Sequence, residues 1–174
     1  MRRRRPLRRF SVPRVWLLLA GLETGVVAGS AVLLYWMLAT TLRGEGPWAV
    51  LNLMGSALFP ARDLSLRFSQ VSVSGAALHI LLSGLVGVVA SLLLVRYVAK
   101  PIRSLWVGML IGIVWYLAAF RWLWPWLSRA LVIHQPFPTM VVGHALFGLA
   151  LGLYPVFVRR LQMSRAPARD SPFL

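Results

Sequence analysis

Apolar residues fill four long stretches of this chain almost without a break, and polar residues collect between the stretches and at the two ends. The runs cover residues 15–42, 71–95, 104–127 and 138–158. Each reaches the roughly 20 residues a helix needs to cross a hydrocarbon core of about 30 Å. They are continuously apolar rather than alternating, which excludes the strands of a membrane β-barrel. Helices satisfy their own backbone groups where no water is present. The pattern therefore predicts an all-α integral membrane protein with four transmembrane helices, forming a single transmembrane domain over residues 15–158. A basic segment, residues 1–14, precedes it and a short tail, residues 159–174, follows.

The connection between the first two runs carries a fifth apolar segment. Residues 47–59 read PWAVLNLMGSALF, with helical spacing and prolines on both sides. This is too short to span, and it predicts a short interfacial helix in the first outer loop, with Trp48 at headgroup depth. At the end of the third run Trp122, Trp124 and Trp126 surround Pro125, which reads as an aromatic belt with Arg121 reaching outward.

Within the apolar runs, small residues recur at four-residue spacing. Gly21, Gly25 and Gly29 lie in the first, and His79, Ser83 and Gly87 in the second. Gly108 and Gly112 lie in the third, and His144, Gly148 and Gly152 in the fourth. Glycine and serine at this spacing let helix backbones approach closely. The paired order, small residues and then His-x3-small-x3-Gly, predicts two similar hairpins related as parallel repeats about an axis along the membrane normal.

Composition agrees with this reading. The 174 residues are 59% hydrophobic and 13% charged, against roughly 25% charged residues in soluble domains. Seven arginines precede the first run, Arg96, Lys100 and Arg103 follow the second, and Arg159, Arg160, Arg165 and Arg169 follow the fourth. Fourteen of the 19 basic residues thus fall on one side, and the positive-inside rule puts both termini in the cytoplasm. The N-terminal arginines read as a juxtamembrane segment drawn to anionic lipid headgroups rather than to nucleic acid. A cleaved signal peptide is the competing reading of the first thirty residues, but the apolar run continues through Tyr35, Trp36 and Leu38, beyond a signal core. Eighteen arginines to one lysine point to a GC-rich bacterial genome, and so to the bacterial cytoplasmic (inner) membrane. Cysteine is absent, which excludes disulfides and thiol chemistry.

Glu23, His79 and His144 are the groups within the runs, away from their ends, that readily change charge. A buried ionisable group is costly, so each is a functional candidate. At 1.5 Å per residue the histidines sit level, about 12 Å and 9 Å from the outer ends of their helices, and Glu23 lies nearer the inner side. Three uses are open. His79 and His144 ligate a b-type haem, with the glycines making room for it; Glu23 and the histidines form a proton or ion path, as in a small transporter or channel; or the histidines bond across helices, to each other or to Ser74 and Ser83. Zinc needs a third or fourth ligand, which His134 in the outer loop would have to supply. No Gly-x-Ser-x-Gly elbow, phosphate-binding loop or HExxH is present.

GVVAG in the first run, GEGPW after it and the two His-x3-small-x3-Gly segments carry a resemblance to small uncharacterised bacterial four-span inner-membrane proteins. The resemblance covers most of residues 15–158. It implies a four-helix inner-membrane fold and brings no activity and no functional residue with it. Taken together, the expectation is a non-catalytic membrane protein, an accessory or assembly subunit of a larger membrane complex or a homo-oligomer. A haem-binding electron-transfer subunit and a small transporter or channel are the alternatives.

Overall fold

The computed structural model describes residues 13–59 and 66–163, and among these every regular element is helical. Four helices are long and apolar enough to cross a membrane: Arg14–Leu42, Gln70–Tyr97, Pro101–Leu127 and Phe137–Met163. The first is the unbroken helix α1 (Arg14–Leu42). A turn through Gly44 and Gly46, both at positive φ, leads to the short helix α2 (Ala49–Gly55). The second long helix is α3 (Gln70–Leu94), continued by a 3₁₀ turn at Val95–Tyr97. Ser69 caps it: its hydroxyl accepts from the Val71 amide at 3.2 Å, and its own amide donates to Ser72 at 3.1 Å.

The third and fourth long helices depart from ideal geometry, and proline accounts for both departures. Helix α4 (Pro101–Ala118) starts with proline in its first turn, where the missing amide costs nothing. It then widens into a π segment, Ala119–Leu123, before α5 (Trp124–Leu127). Pro125 has no amide to offer and its ring crowds the carbonyl of Arg121, so the helix upstream takes an extra residue. After α6 (Arg129–His134), the fourth long helix is split into α7 (Phe137–Leu151) and α8 (Tyr154–Met163) at Gly152 and Leu153, just before Pro155. The expected span at 138–158 is thus longer than its apolar run and interrupted near its end. The basic residues at 1–12, Arg62, and the tail from 164 onward lie outside the described residues.

Two glycine seams set the packing. Along α1 and α3, a Cβ on Gly25 would overlap the carbonyl oxygen of Ser83 and stand 2.9 Å from the Cα of Gly87. Gly21 meets the Gly87 carbonyl and Ser91 in the same way, and Gly29 meets Ser83. Along α4 and α7, Gly112 faces the His144 carbonyl and the Gly148 backbone, while Gly108 faces Gly148 and Gly152. Helix α7 also lies against α1, where the Trp36 ring fills the space left by Gly143. Nearer the chain's start, α8 joins α1 through the Tyr154 hydroxyl, which donates to the Leu17 carbonyl at 3.2 Å. The spatial order is therefore α3, α1, α7, α4, with α3 and α4 diverging from the loop that joins them.

Helix α2, the segment expected to form a short interfacial helix, is enclosed by protein. All seven of its residues are buried. Gly55 and Gly75 let α2 and α3 meet backbone to backbone: a Cβ on either would overlap a carbonyl oxygen of the other helix, Val71 or Leu51. The lone asparagine of the chain, Asn52, accepts from the Ser72 hydroxyl at 2.5 Å and donates to the Arg67 carbonyl at 3.0 Å. Ser56 and Ser128 bond at 2.8 Å, and Ser128 donates to the Leu53 carbonyl at 2.7 Å. The outer surface of the long helices, by contrast, is apolar: Leu34, Leu81, Leu92, Ile102 and Trp106 are all exposed.

These contacts separate glycines that need the absence of a side chain from one that does not. Gly25→Ala should destabilise the protein by about 1–3 kcal/mol, because a backbone carbonyl cannot move aside as a side chain does. Gly84→Ala, on the same helix pair, meets only the tips of Leu22 and Val26 and should stay within about 1 kcal/mol of wild type. Thermal unfolding in detergent, followed by circular dichroism, measures both.

Candidate functional site

The two matched histidines point into the centre of the helix array, and each is held by a backbone carbonyl. His79 on α3 faces α1: its Nε2–H donates to the Gly29 carbonyl oxygen at 3.1 Å and lies 3.4 Å from the Ser83 hydroxyl. His144 on α7 turns along its own helix, and its Nδ1–H donates to the Met140 carbonyl at 2.8 Å. A carbonyl only accepts, so each contact fixes which ring nitrogen carries the proton. The tautomers of the two rings are opposite.

A residue that the repeat pattern did not single out stands between them. The Trp36 ring of α1 has its centroid 5.3 Å from that of His79, at an interplanar angle of 66°. It stands at the same 5.3 Å from His144, at 47°. Its Nε1–H donates to the Thr139 carbonyl at 3.4 Å. Gly143 makes room for the indole, since a Cβ there would overlap Nε1 and lie 2.7 Å from Cε2. His144 also meets Tyr116 at 5.2 Å and Phe120 at 5.8 Å, both edge-on. Edge-to-face pairs of this kind contribute about 0.5–1.5 kcal/mol each beyond their buried area. The array ties α3 to α1, α1 to α7, and α7 to α4.

This geometry bears on each use that the sequence left open. Space for a haem between the histidines is taken by the Trp36 indole. The glycines proposed to admit a macrocycle are filled by the backbone of the neighbouring helix: Gly87 by Gly21 and Gly25, Gly148 by Gly108 and Met109, Gly152 by Ser104 and Leu105. The residues present do not fit that group. Glu23 is not part of the array. It lies about 9 Å along α1 from Gly29, toward the chain's start, and pairs with Arg160 of α8 at 3.3 Å, with both side chains open to the surroundings. The two histidines are brought together around Trp36, and Glu23 is brought to Arg160 instead.

His134 is exposed and bonds the Ala130 carbonyl of its own helix at 2.9 Å. No group of three or more His, Cys, Asp or Glu side chains placed to hold a metal occurs among the described residues. Of the three belt tryptophans, Trp122 and Trp126 are exposed, but Trp124 is buried in the core. Residues two apart on a helix face different directions, so one of the three had to turn inward.

Above the histidine array, toward the end of α1, lies a polar cluster that sequence reasoning also missed. Arg43 makes a two-pronged pair with Glu45, at 3.0 and 2.9 Å. The same guanidinium donates to Gln135 at 3.2 Å and to the Thr139 hydroxyl at 3.4 Å. It fastens the end of α1 to the start of α7. The available signal was Glu45 two residues after Arg43, a pair that looks like ordinary loop polarity.

Comparison of the chain with protein-family models, with curated proteins and with solved structures returns no match. Function is therefore read from geometry.

If Trp36 is the keystone of the array, Trp36→Ala should cost about 3–5 kcal/mol, the usual penalty for emptying a large aromatic site. Gly143→Ala should destabilise wild type but much less so in the Trp36→Ala background, where the ring it collides with is gone. A double-mutant cycle on detergent unfolding measures this coupling; additive effects would show that the two residues do not share one space.

Proposed function

We propose that this protein is a non-catalytic, multi-pass protein of the bacterial inner membrane, with both termini cytoplasmic, acting as an accessory or assembly subunit. Its larger complex is formed with other membrane subunits or with further copies of itself. Two helical hairpins, α1 with α3 and α4 with α7, are the repeated unit, and α2 lies at the outer membrane interface, capped by protein. The observation that carries the reading is the closed array of His79, Trp36 and His144. The most chemically capable side chains within the apolar helices are spent on joining helices, and an indole fills the place where a ligand would sit. Glu23, which a proton path would need, is held by Arg160 at the basic end, about 9 Å of helix from the level of the array. Charge distribution supports the orientation, since Arg96, Lys100, Arg103, Arg159 and Arg160 share the end where the chain starts.

The absence of native cysteine makes the topology directly testable. Ser11→Cys and Ala168→Cys should resist an impermeant maleimide in intact cells, whereas Leu58→Cys should react. The reverse pattern would invert the proposed orientation. For the subunit role, native electrophoresis of gently solubilised membranes should place the protein in a discrete species of at least twice its 19.4 kDa mass. A monomer from native membranes, unchanged by chemical crosslinking before solubilisation, would sink the reading.

A further inference from the structure

The four long helices do not close into a ring. Between α3 and α4 an apolar groove of about 480 Å³ opens to the outside, walled by residues between Leu82 and Leu93 on one side and between Val107 and Ala118 on the other. Its extent along each helix is about 16 Å at 1.5 Å per residue. That is close to half of a hydrocarbon core of about 30 Å, the depth of a single leaflet. Beyond Leu82, toward the Arg43 end, α2 packs on α3 at Gly75 and Val71 and reaches Ser128 at the head of α6. The groove is thus stopped at one end by protein and left open over one leaflet.

Its other end meets positive charge. Arg96 stands three residues beyond Leu93, and Lys100 and Arg103 lie in the turn and first helical residues before Val107. All three are exposed. The two carboxylates among the described residues are already paired elsewhere, Glu23 with Arg160 and Glu45 with Arg43. Helix α4 begins at this same end with no side chain capping its first amides, which adds the positive end of an 18-residue helix. Chain and charge therefore demand the same molecule: an apolar tail one leaflet long, joined to an anionic head.

We propose that the α3–α4 groove is a binding site for one anionic phospholipid, with an acyl chain between the helices and the phosphate on Arg96, Lys100 and Arg103. The site rests on the membrane-embedded reading above and is independent of the subunit role. A transmembrane helix fits the groove poorly. Close helix packing wants small residues, and the groove is walled chiefly by leucine and valine, whereas the glycines are engaged in the seams on the opposite faces of α3 and α4.

Native mass spectrometry of the full chain in detergent, titrated with phosphatidylglycerol or with phosphatidylcholine of the same acyl chains, tests this. One phosphatidylglycerol should be retained in preference to phosphatidylcholine. The combined variant Arg96→Gln, Lys100→Gln and Arg103→Gln alters exposed side chains only and should weaken retention by roughly tenfold to a hundredfold. Val89→Trp, placed on an exposed groove position, should weaken retention of both lipids while thermal unfolding stays close to wild type. Equal retention of the two lipids, or retention unchanged in both variants, would overturn the site. So would binding of glycerophosphate alone as tightly as the lipid, since the groove would then contribute nothing. Crosslinking of Val89→Cys to Leu110→Cys of a second copy, abolishing lipid retention, would assign the groove to self-association instead. Resistance of the protein to carbonate extraction from membranes checks the embedding separately, so failure of the lipid site and failure of the membrane reading are distinguishable.

Discussion

Backbone touching backbone along two glycine seams is the constraint on which the other features of this structure depend. Where Gly25 meets the Ser83 carbonyl and Gly112 meets the His144 carbonyl, no side chain fits between the helices. Among helices whose surroundings are as apolar as their own side chains, burying leucine gives little reason to associate, and close van der Waals contact supplies it. The seams also decide which residues reach the centre. By bringing α1 against α3 they place His79 within reach of the Gly29 carbonyl, and the α4–α7 seam sets His144 beside Tyr116. Those carbonyl contacts are what fix the two rings in opposite tautomers.

The seams join helices in pairs, and something else has to join the pairs. Trp36 performs that task from the centre, Arg43 from one end, and Tyr154 with Arg160 from the other. Each is a large or charged side chain of one helix reaching a group on the next. The division of labour is consistent: glycine where two helices run side by side, and tryptophan, arginine or tyrosine where they have to be held across a gap. What the two pairs leave unjoined is the space between α3 and α4.

Much of the architecture was legible from the chain. The first apolar run, 15–42, begins one residue from the start of α1 and ends with it, because its boundaries are marked by arginines and prolines. The seam glycines were legible too, since a four-residue repeat of small residues has few physical uses inside an apolar helix. The centre was not. His79 and His144 stood out as polar exceptions, but Trp36 is apolar enough to disappear into its run, and only three-dimensional packing shows that Gly143 was its seat. Burial of α2 was hidden for a related reason: periodicity reveals that a segment is amphipathic, not whether its far face meets lipid, water or another helix. Asn52 was the one clue, an amide in an otherwise apolar stretch that needed partners and found Ser72 and Arg67. Splitting of the fourth helix at Gly152 was hinted at by Pro155, while the π segment before Pro125 was masked by the density of tryptophan around it.

The sealed position of α2 has a bearing on how the molecule comes into being. Synthesis proceeds from the N-terminus, so N-terminal residues are the first available to fold. Helices α1, α2 and α3 contain between them one complete seam and the Asn52–Ser72 bond, so every residue of these contacts precedes α4 in the chain. The Ser128 hydroxyl that closes over Leu53 and Ser56, and the Gly143 hollow that receives Trp36, both arrive later. Without them the polar edge of α2 and one face of the indole would have no cover. The first half of the chain thus carries, in residues of its own, the surfaces against which the second half is packed.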